Sequence, residues 1–213
     1  MKFRPTQDIP ASYILHVSAV TMCCLFFQPK LLATDLSQNK QAEHTFSIAD
    51  AQQTIAKNPT NLELNNLRTL RPDAAAALAK TRGKLFLNGL KDICPETATA
   101  LANHHGWLHL NGLKQLSPAV ATALARHTGW LHLDGIEEID VPVAKALLNY
   151  KGELYLDGVK TISPEVARIL AQRKNGVELY GLENVSYKTV TILRHNPEIV
   201  LSKEYKASWW WPF

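Results

Sequence analysis

Apolar and polar residues alternate along most of the chain in a pattern that repeats every 23 residues. Positions 1 and 3 of each unit are apolar, which predicts a strand with one buried face. Position 5 is Gly in five units and Asn66 in the first. Because Gly and Asn adopt positive φ most readily, we expect the chain to turn there. The predicted inward residues are Leu62/Leu64, Leu85/Leu87, Leu108/Leu110, Leu131/Leu133, Leu154/Leu156 and Val177/Leu179.

The second half of each unit predicts a short helix. Ser117-Pro118 and Ser163-Pro164 combine a good N-cap with proline at the first helical position. Cys94 precedes a proline at the same place, so we expect it to be a small residue at a helix start. Basic residues follow the helices, where they would complement the helix dipole on a solvated edge. They are Lys80, Arg82, Arg126, Arg173 and Lys174.

Six such units fill residues 62–199 without a gap. One unit cannot bury both its strand and its helix alone, but stacked units share one core. The chain returns through a helix after every strand, so the strands should be parallel. The sequence therefore predicts an α/β right-handed solenoid, with parallel strands on one face and short helices on the other.

The order L-x-L-x-G-L before a Pro-started helix resembles the leucine-rich repeats, in particular the short bacterial type of about this period. The family usually carries Asn or Cys three residues after the second strand Leu, whereas this chain has apolar residues there, such as Leu113. We therefore expect apolar packing and the Gly turn to hold the loops without an Asn ladder. The resemblance implies protein or ligand binding on the strand face and implies no chemistry.

The N-terminal segment differs from the repeats. Lys2 and Arg4 precede an apolar run over 13–27, and Ala33 is a small residue at a cleavage position, so residues 1–33 are predicted to be a signal peptide. The alternatives are an uncleaved apolar anchor and a disordered leader. Residues 34–45 are predicted to be a flexible linker. Residues 46–61 form a predicted N-terminal helical cap with Ser47 as its N-cap. A signal peptide would make the protein secreted or periplasmic.

Residues 200–213 are predicted to hold a C-terminal edge strand, which begins at Ile199, and a Trp-rich tail. The tail contains Trp209, Trp210 and Trp211. It either covers the end of the solenoid or hangs free, and the alternative is contact with a membrane interface or a partner, since Trp favours the headgroup level.

Composition and motifs limit the function. The net charge is +4, and from Thr34 onward 20 basic residues face 18 acidic ones, so no nucleic-acid partner is expected. Cys94 is the one cysteine outside the apolar N-terminal run, which excludes a disulfide framework. His104 and His105 follow a helix, where we expect a capping or solvated pair and not a catalytic base. No G-x-S-x-G, H-E-x-x-H or phosphate loop is present, so we predict a non-enzymatic protein without a cofactor.

Positions 23, 2 and 4 should point outward from the strands, about 4.8 Å from their equivalents in the next unit. The unusual side chains of the chain collect there, and three interpretations are open. The first is a ladder of like residues that stack on one another. The second is a recognition patch for a protein partner, or for a carbohydrate that stacks on Trp107 and Trp130. The third is a metal site from His109, His132 and Asp134, as in a metal-dependent hydrolase. We take protein binding as the working hypothesis, with binding residues Phe86, Trp107, His109, Asn111, Trp130, His132, Asp134, Tyr155 and Asp157.

Overall fold

The computed structural model describes residues 46–206, in which strands and helices alternate. The strands are β1 Asn61–Glu63, β2 Arg82–Phe86, β3 His105–His109, β4 Trp130–His132, β5 Leu154–Tyr155, β6 Val177–Leu179 and β7 Ile199–Leu201. The helices are α1 Ile48–Lys57, α2 Pro72–Leu78, α3 Pro95–Leu101, α4 Pro118–Leu124, α5 Val141–Leu147, α6 Pro164–Leu170, α7 Tyr187–Arg194 and α8 Lys203–Lys206. The seven strands form one parallel sheet in sequential order, which confirms the predicted α/β class with parallel strands and alternating helices.

The sequence period is also the register of the sheet. Leu62 pairs with Leu85, and Leu85 pairs with Leu108, each a step of 23 residues. The last step is shorter, because Val177 pairs with Ile199. Equivalent residues of successive units are therefore direct neighbours from β1 to β6, and the arrangement is that of a repeat protein.

The core lies between the sheet and the helices. The predicted inward residues of the strands are buried, and Leu110 in the middle of the sheet is 0% exposed. Leu64 in the first unit is half-buried and packs against the same core. The stripe of α4, which consists of Val120, Ala121 and Leu124, supplies the helix side. Small alanines let each helix lie close to the strands, so the units share one continuous core.

Side chains start most of the helices as their sequences predict. The Ser117 and Ser163 hydroxyls accept hydrogen bonds from the backbone N–H three residues later, and the Asp140 carboxylate does the same for α5. Ser47 and Asp50 form a capping box at the start of α1. Cys94 precedes α3 without a side-chain cap, and its Sγ lies 3.3 Å from Oγ1 of Thr97.

The chain turns at position 5 as predicted, but the glycines there do not have positive φ, so the expected reason for the turn was wrong. Among residues 46–206, the glycines with positive φ are Gly83 in β2, with φ 110°, and Gly106 in β3, with φ 151°. Gly112 is required for a different reason. A Cβ on Gly112 would collide with the carbonyl oxygens of Asn88 and Leu90 in the preceding unit. Close approach between successive turns therefore selects glycine at position 5.

A second set of polar residues, which we call the return ladder, connects the ends of the helices to the unit before. The imidazole Nε2 of His104 lies 3.1 Å from the carbonyl oxygen of Gly83, and that of His127 lies 3.2 Å from the one of Gly106. Tyr150 donates to the carbonyl of Gly129. The ladder consists of His104, His127, Tyr150, Arg173 and Asn196.

The expected solvated role of Arg173 was wrong. Arg173 is only 4% exposed, and its guanidinium donates to the carbonyl oxygens of Leu147, Tyr150 and Gly152. Burial lowers its pKa from the ordinary value, although Tyr150 and Glu153 oppose that effect. His104 does not cap the helix it follows, because its buried imidazole bonds to the carbonyl of Gly83 in β2. His105 is exposed on β3, in agreement with the solvated alternative.

Several predictions lie outside residues 46–206. They are the signal peptide at 1–33, the linker at 34–45 and the Trp-rich tail from 207 onward. Within the part of the chain that the structure describes, no helix has both the length and the apolar character that a membrane crossing requires.

Candidate binding face of the sheet

Four rings stack in a row across the outer face of the sheet, and we call them the aromatic column. Phe86, His109, His132 and Tyr155 occupy position 2 of successive units. Their ring centroids are 4.2 Å, 4.0 Å and 4.0 Å apart, with interplanar angles of 17°, 12° and 12°. The strand spacing dictates this stack, because it places like positions at the contact distance of flat rings. Each ring between the two ends of the column is covered on both faces by its neighbours.

The stack does not form a metal chelate from its two imidazoles. A zinc ion needs ligand nitrogens that converge on one point about 2 Å away. The lone pairs of His109 and His132 lie in ring planes only 12° apart and 4.0 Å between centroids, so they run side by side. Among the described residues, no group of three or more His, Cys, Asp or Glu side chains is placed to hold a metal ion.

A second, shorter stack lies beside the column. Trp107 and Trp130, which we call the Trp pair, have centroids 4.2 Å apart and an interplanar angle of 20°. On the other side of Trp107, Nζ of Lys84 lies 4.4 Å from the ring centroid. Both faces of Trp107 are therefore covered. Trp130 is 39% exposed, and Glu153 follows it in the register of the sheet, one strand beyond.

Asn and Asp side chains at position 4 form a hydrogen-bonded ladder, which we call the Asx ladder. In each step a side-chain Oδ1 accepts the backbone N–H of the equivalent residue one unit later. Asn88 accepts from Asn111 at 3.0 Å, and Asn111 accepts from Asp134 at 3.2 Å. The ladder consists of Asn65, Asn88, Asn111, Asp134 and Asp157. The expectation that no side-chain ladder holds the loops was therefore wrong: the ladder exists, at a different position from the one the family uses.

The imidazoles of the column differ in their surroundings. Burial, together with the nearby charges of His132 and Lys84, lowers the pKa of His109 from 6.5 to about 4, against the opposing effect of Asp134. Nδ1 of His132 lies 3.5 Å from Oδ2 of Asp134. Burial by itself would raise the pKa of Asp134, but hydrogen bonds from His132 and from the Asp157 N–H hold that pKa below its ordinary value. His109 is therefore neutral at pH 7, next to an ionised Asp134.

Negative charge collects at the β5–β6 end of this face. Glu178 pairs with Tyr155 across β5 and β6, so it occupies the next position after the aromatic column. Burial and then the carboxylates of Asp157, Asp134 and Glu153 raise the pKa of Glu178. Burial and Asp134 likewise raise the pKa of Asp157. These mutual effects show that four carboxylates share one part of the surface.

The opposite end of the face has a different character. An open hollow of about 570 Å³ lies there beside β1. Its lining combines both charges with two aromatic rings, and it consists of Thr60, Asn61, Glu63, Gly83, Lys84, Phe86 and Trp107. The face therefore runs from a mixed-charge hollow, past the two stacks, to an acidic end.

The nine residues predicted for binding all lie on this face, in three columns. Phe86, His109, His132 and Tyr155 form the aromatic column, Trp107 and Trp130 form the pair, and Asn111, Asp134 and Asp157 belong to the Asx ladder. The prediction did not include Lys84, Glu153 and Glu178, which give the face its charge. Their signal was their place at positions 23 and 2, beside the aromatic residues.

No protein-family model matches this chain, and no curated protein matches it either.

Proposed function

We propose that this chain is a non-enzymatic binding protein that recognises a protein partner through the outer face of its sheet. The observation that carries the proposal is the exposed end of the Trp pair: Trp130 is 39% exposed on a rigid sheet, next to charged side chains. Exposed Trp and Tyr side chains with fixed rotamers are frequent centres of protein interfaces, because they bury much area with little loss of entropy.

The fold supports the same proposal. We interpret the arrangement as a right-handed leucine-rich-repeat-like solenoid, since connections between parallel strands of one sheet are right-handed in nearly all proteins. The sequential parallel sheet and the 23-residue register support this interpretation. Such an architecture presents one continuous strand surface, which suits an extended partner.

The contacts on the face favour a protein over a carbohydrate or a catalytic metal. A sugar that stacks on both Trp rings needs open faces, but Trp107 is covered by Trp130 and Lys84. Asn111 and Asp134, the predicted hydrogen-bonding partners of a sugar, accept backbone hydrogen bonds in the Asx ladder. The stacked imidazoles do not converge on a metal. The face offers ring edges, carboxylates and the exposed part of a single Trp ring, Trp130, and this combination suits a peptide chain.

The test compares two exposed aromatic residues. Full-length wild-type protein is used to capture partners from the native host, and the captured protein is identified and purified. Trp130→Ala should weaken binding of that protein by about 2 kcal/mol, or roughly thirtyfold. Tyr187→Ala is the matched control, because Tyr187 is 80% exposed on α7, away from the strand face.

Equal binding by Trp130→Ala and the wild type would contradict the proposed function. The strand face would then be only a stacking ladder, and the Trp-rich tail would be the better candidate for contact with a partner or a membrane interface. Circular dichroism should show that both variants fold. Trp130→Ala also removes a stack with Trp107, so a loss of about 1 kcal/mol in stability is expected for this variant.

We also propose that the protein is exported, so that it meets its partner in the cell envelope or outside the cell. The support is the charged start, the apolar run and Ala33 in the sequence. Intact-mass measurement of protein from the native host should give a chain that begins near Thr34. A mass that includes residues 1–33 would contradict export with cleavage.

A further inference from the structure

The Trp pair already binds a cation at one of its ends. Nζ of Lys84 lies 4.4 Å from the centroid of Trp107, on the side away from Trp130. An ammonium group over an indole face is held by the negative charge of the ring face. Lys84 occupies position 23 of its unit, one strand before Trp107. The chain therefore shows how a positive charge fits against this pair of rings.

At the opposite end of the pair, Trp130 is 39% exposed, and no Lys or Arg among residues 46–206 lies over its ring. Continuing the register by one strand beyond Trp130 leads to Glu153, at the position equivalent to Lys84. The Glu153 carboxylate lies over Gly176, where a Cβ would collide with it, and thus leans away from Trp130. The outer face of Trp130 remains accessible, and a carboxylate lies beyond it.

The aromatic column ends at the same place. His132 covers one face of Tyr155, and Glu178 follows on the next strand. Burial and then the charges of Glu178, Glu153, Asp134 and Asp157 raise the pKa of Tyr155. The ring centroids of Trp130 and Tyr155 lie 6.1 Å apart. The two ring stacks therefore end side by side, next to a group of carboxylates.

The positive charges near this group do not neutralise it. Of the four ion pairs between described residues, only His132 with Asp134 involves one of these carboxylates. Arg173 is close enough to Glu153 for its pKa to respond. However, Arg173 is buried, and its three hydrogen bonds go to backbone carbonyls. Arg173 therefore offsets at most one of the charges of Glu153, Asp157 and Glu178, which leaves a net negative charge at the surface.

We propose that this end of the face, which is formed by Trp130, Tyr155, Glu153 and Glu178, binds an exposed Arg- or Lys-rich segment of a partner protein. One basic side chain lies against the open face of Trp130, as Lys84 lies against Trp107. Glu153 and Glu178 then pair with this and a following basic residue. A segment with more than one positive charge fits better than a single small cation, because several carboxylates are spread over two strands. This inference rests on the proposed function and adds the chemistry of the partner.

The test uses defined peptides and the full-length chain. The probe is a capped hexapeptide of alternating Arg and Gly, and its control replaces each Arg by citrulline, which keeps the shape without the charge. Isothermal titration calorimetry at low salt should show the Arg peptide binding about tenfold more tightly than the citrulline peptide. Glu153→Gln with Glu178→Gln should weaken binding of the Arg peptide about fivefold or more, since both carboxylates lose their charge.

Glu63→Gln is the matched control for the two substitutions. Glu63 pairs with Phe86 at the other end of the aromatic column, as Glu178 pairs with Tyr155. Lys84 already covers the Trp107 face at that end. Glu63→Gln should therefore leave the affinity for the Arg peptide within about twofold of the wild type. Trp130→Leu should weaken binding, because it removes the ring face while retaining an apolar side chain.

Three results would overturn the inference. The first is that the Arg peptide does not bind, and the second is that the Arg and citrulline peptides bind equally. The third is that Glu63→Gln weakens binding of the Arg peptide as much as Glu153→Gln with Glu178→Gln does, which would indicate unspecific attraction. If both peptides bind equally and both require Trp130, the face is a binding surface and only its charge preference is wrong. If the protein captured from the native host binds Trp130→Ala as tightly as the wild type, the proposed function fails, whatever result the peptides give.

Discussion

The Asx ladder can be tested at Asn88, where one hydrogen bond connects two units. Oδ1 of Asn88 accepts the backbone N–H of Asn111 at 3.0 Å, in a partly buried setting. Asn88→Ala removes the acceptor and leaves this N–H without its partner. Asn88→Asp retains the acceptor oxygen on a side chain of the same shape. Its ladder neighbours, Asn65 and Asn111, are uncharged, so they do not repel the new carboxylate. Comparison of the two variants therefore tests whether the acceptor oxygen is what stabilises the contact.

The expected magnitude follows from the burial of the bond. A typical intramolecular hydrogen bond contributes about 1 kcal/mol, and an unpaired buried donor costs about 1–3 kcal/mol. Because the Asn111 N–H is only partly buried, water can partly replace the lost acceptor. We expect Asn88→Ala to lower the free energy of unfolding by about 1–2 kcal/mol, and Asn88→Asp to lower it by less than about 0.5 kcal/mol.

Urea unfolding, followed by circular dichroism, measures the difference. With a slope of about 2 kcal/mol per molar, Asn88→Ala should unfold at a urea concentration roughly 0.5–1 M lower than the wild type. Repeat proteins can lose cooperativity, so the slope of each variant should be compared as well. An unchanged midpoint for Asn88→Ala would refute a stabilising ladder, and so would an equal loss from Asn88→Asp. The polar column would then be free to bind a ligand.

Three further predictions concern the core, the turns and the pH dependence. Leu110→Ala removes three fully buried carbon atoms, whose transfer to water accounts for about 2.4 kcal/mol. With the cavity that remains, we expect the free energy of unfolding to fall by about 3–4 kcal/mol in the same urea assay. Leu116→Ala is the control, and it should lower the free energy by about half as much because Leu116 is only partly buried. Gly112→Ala should destabilise by about 1–3 kcal/mol in thermal unfolding because its Cβ meets the carbonyls of Asn88 and Leu90, and a wild-type melting temperature would contradict this close approach. Burial lowers the pKa of His109 to about 4, and it also lowers the pKa values of His104 and His127. The unfolded chain therefore binds more protons than the folded chain below pH 6.5. The contribution of these neutral imidazoles to the free energy of unfolding is complete above pH 6.5 and is lost as the pH falls toward 4. For His109 alone the loss is on the order of 2–3 kcal/mol. His109→Phe should therefore reduce the slope of the free energy of unfolding against pH.

The sequence by itself determined the elements and their order. The apolar residues at positions 1 and 3 produce the buried strand face, because side chains alternate along a strand whatever lies around it. Ser117-Pro118 starts a helix through contacts within three residues, so its neighbours in sequence are sufficient. A constant period of 23 then fixes which residues are neighbours across the sheet. For this reason the row of Phe86, His109, His132 and Tyr155 could be predicted from the sequence.

The tertiary structure decided what those neighbours do to one another. Asn111 could serve a ligand or a ladder, and only the position of the next turn shows that its Oδ1 accepts the Asp134 N–H. Arg173 is basic and follows a helix, but carbonyls from the preceding unit surround it and keep it buried. Stacking covers both faces of Trp107 and leaves one side of Trp130 open. In each case the deciding contact joins residues of different units, and its distance and direction depend on how closely the units stack, which no local pattern specifies.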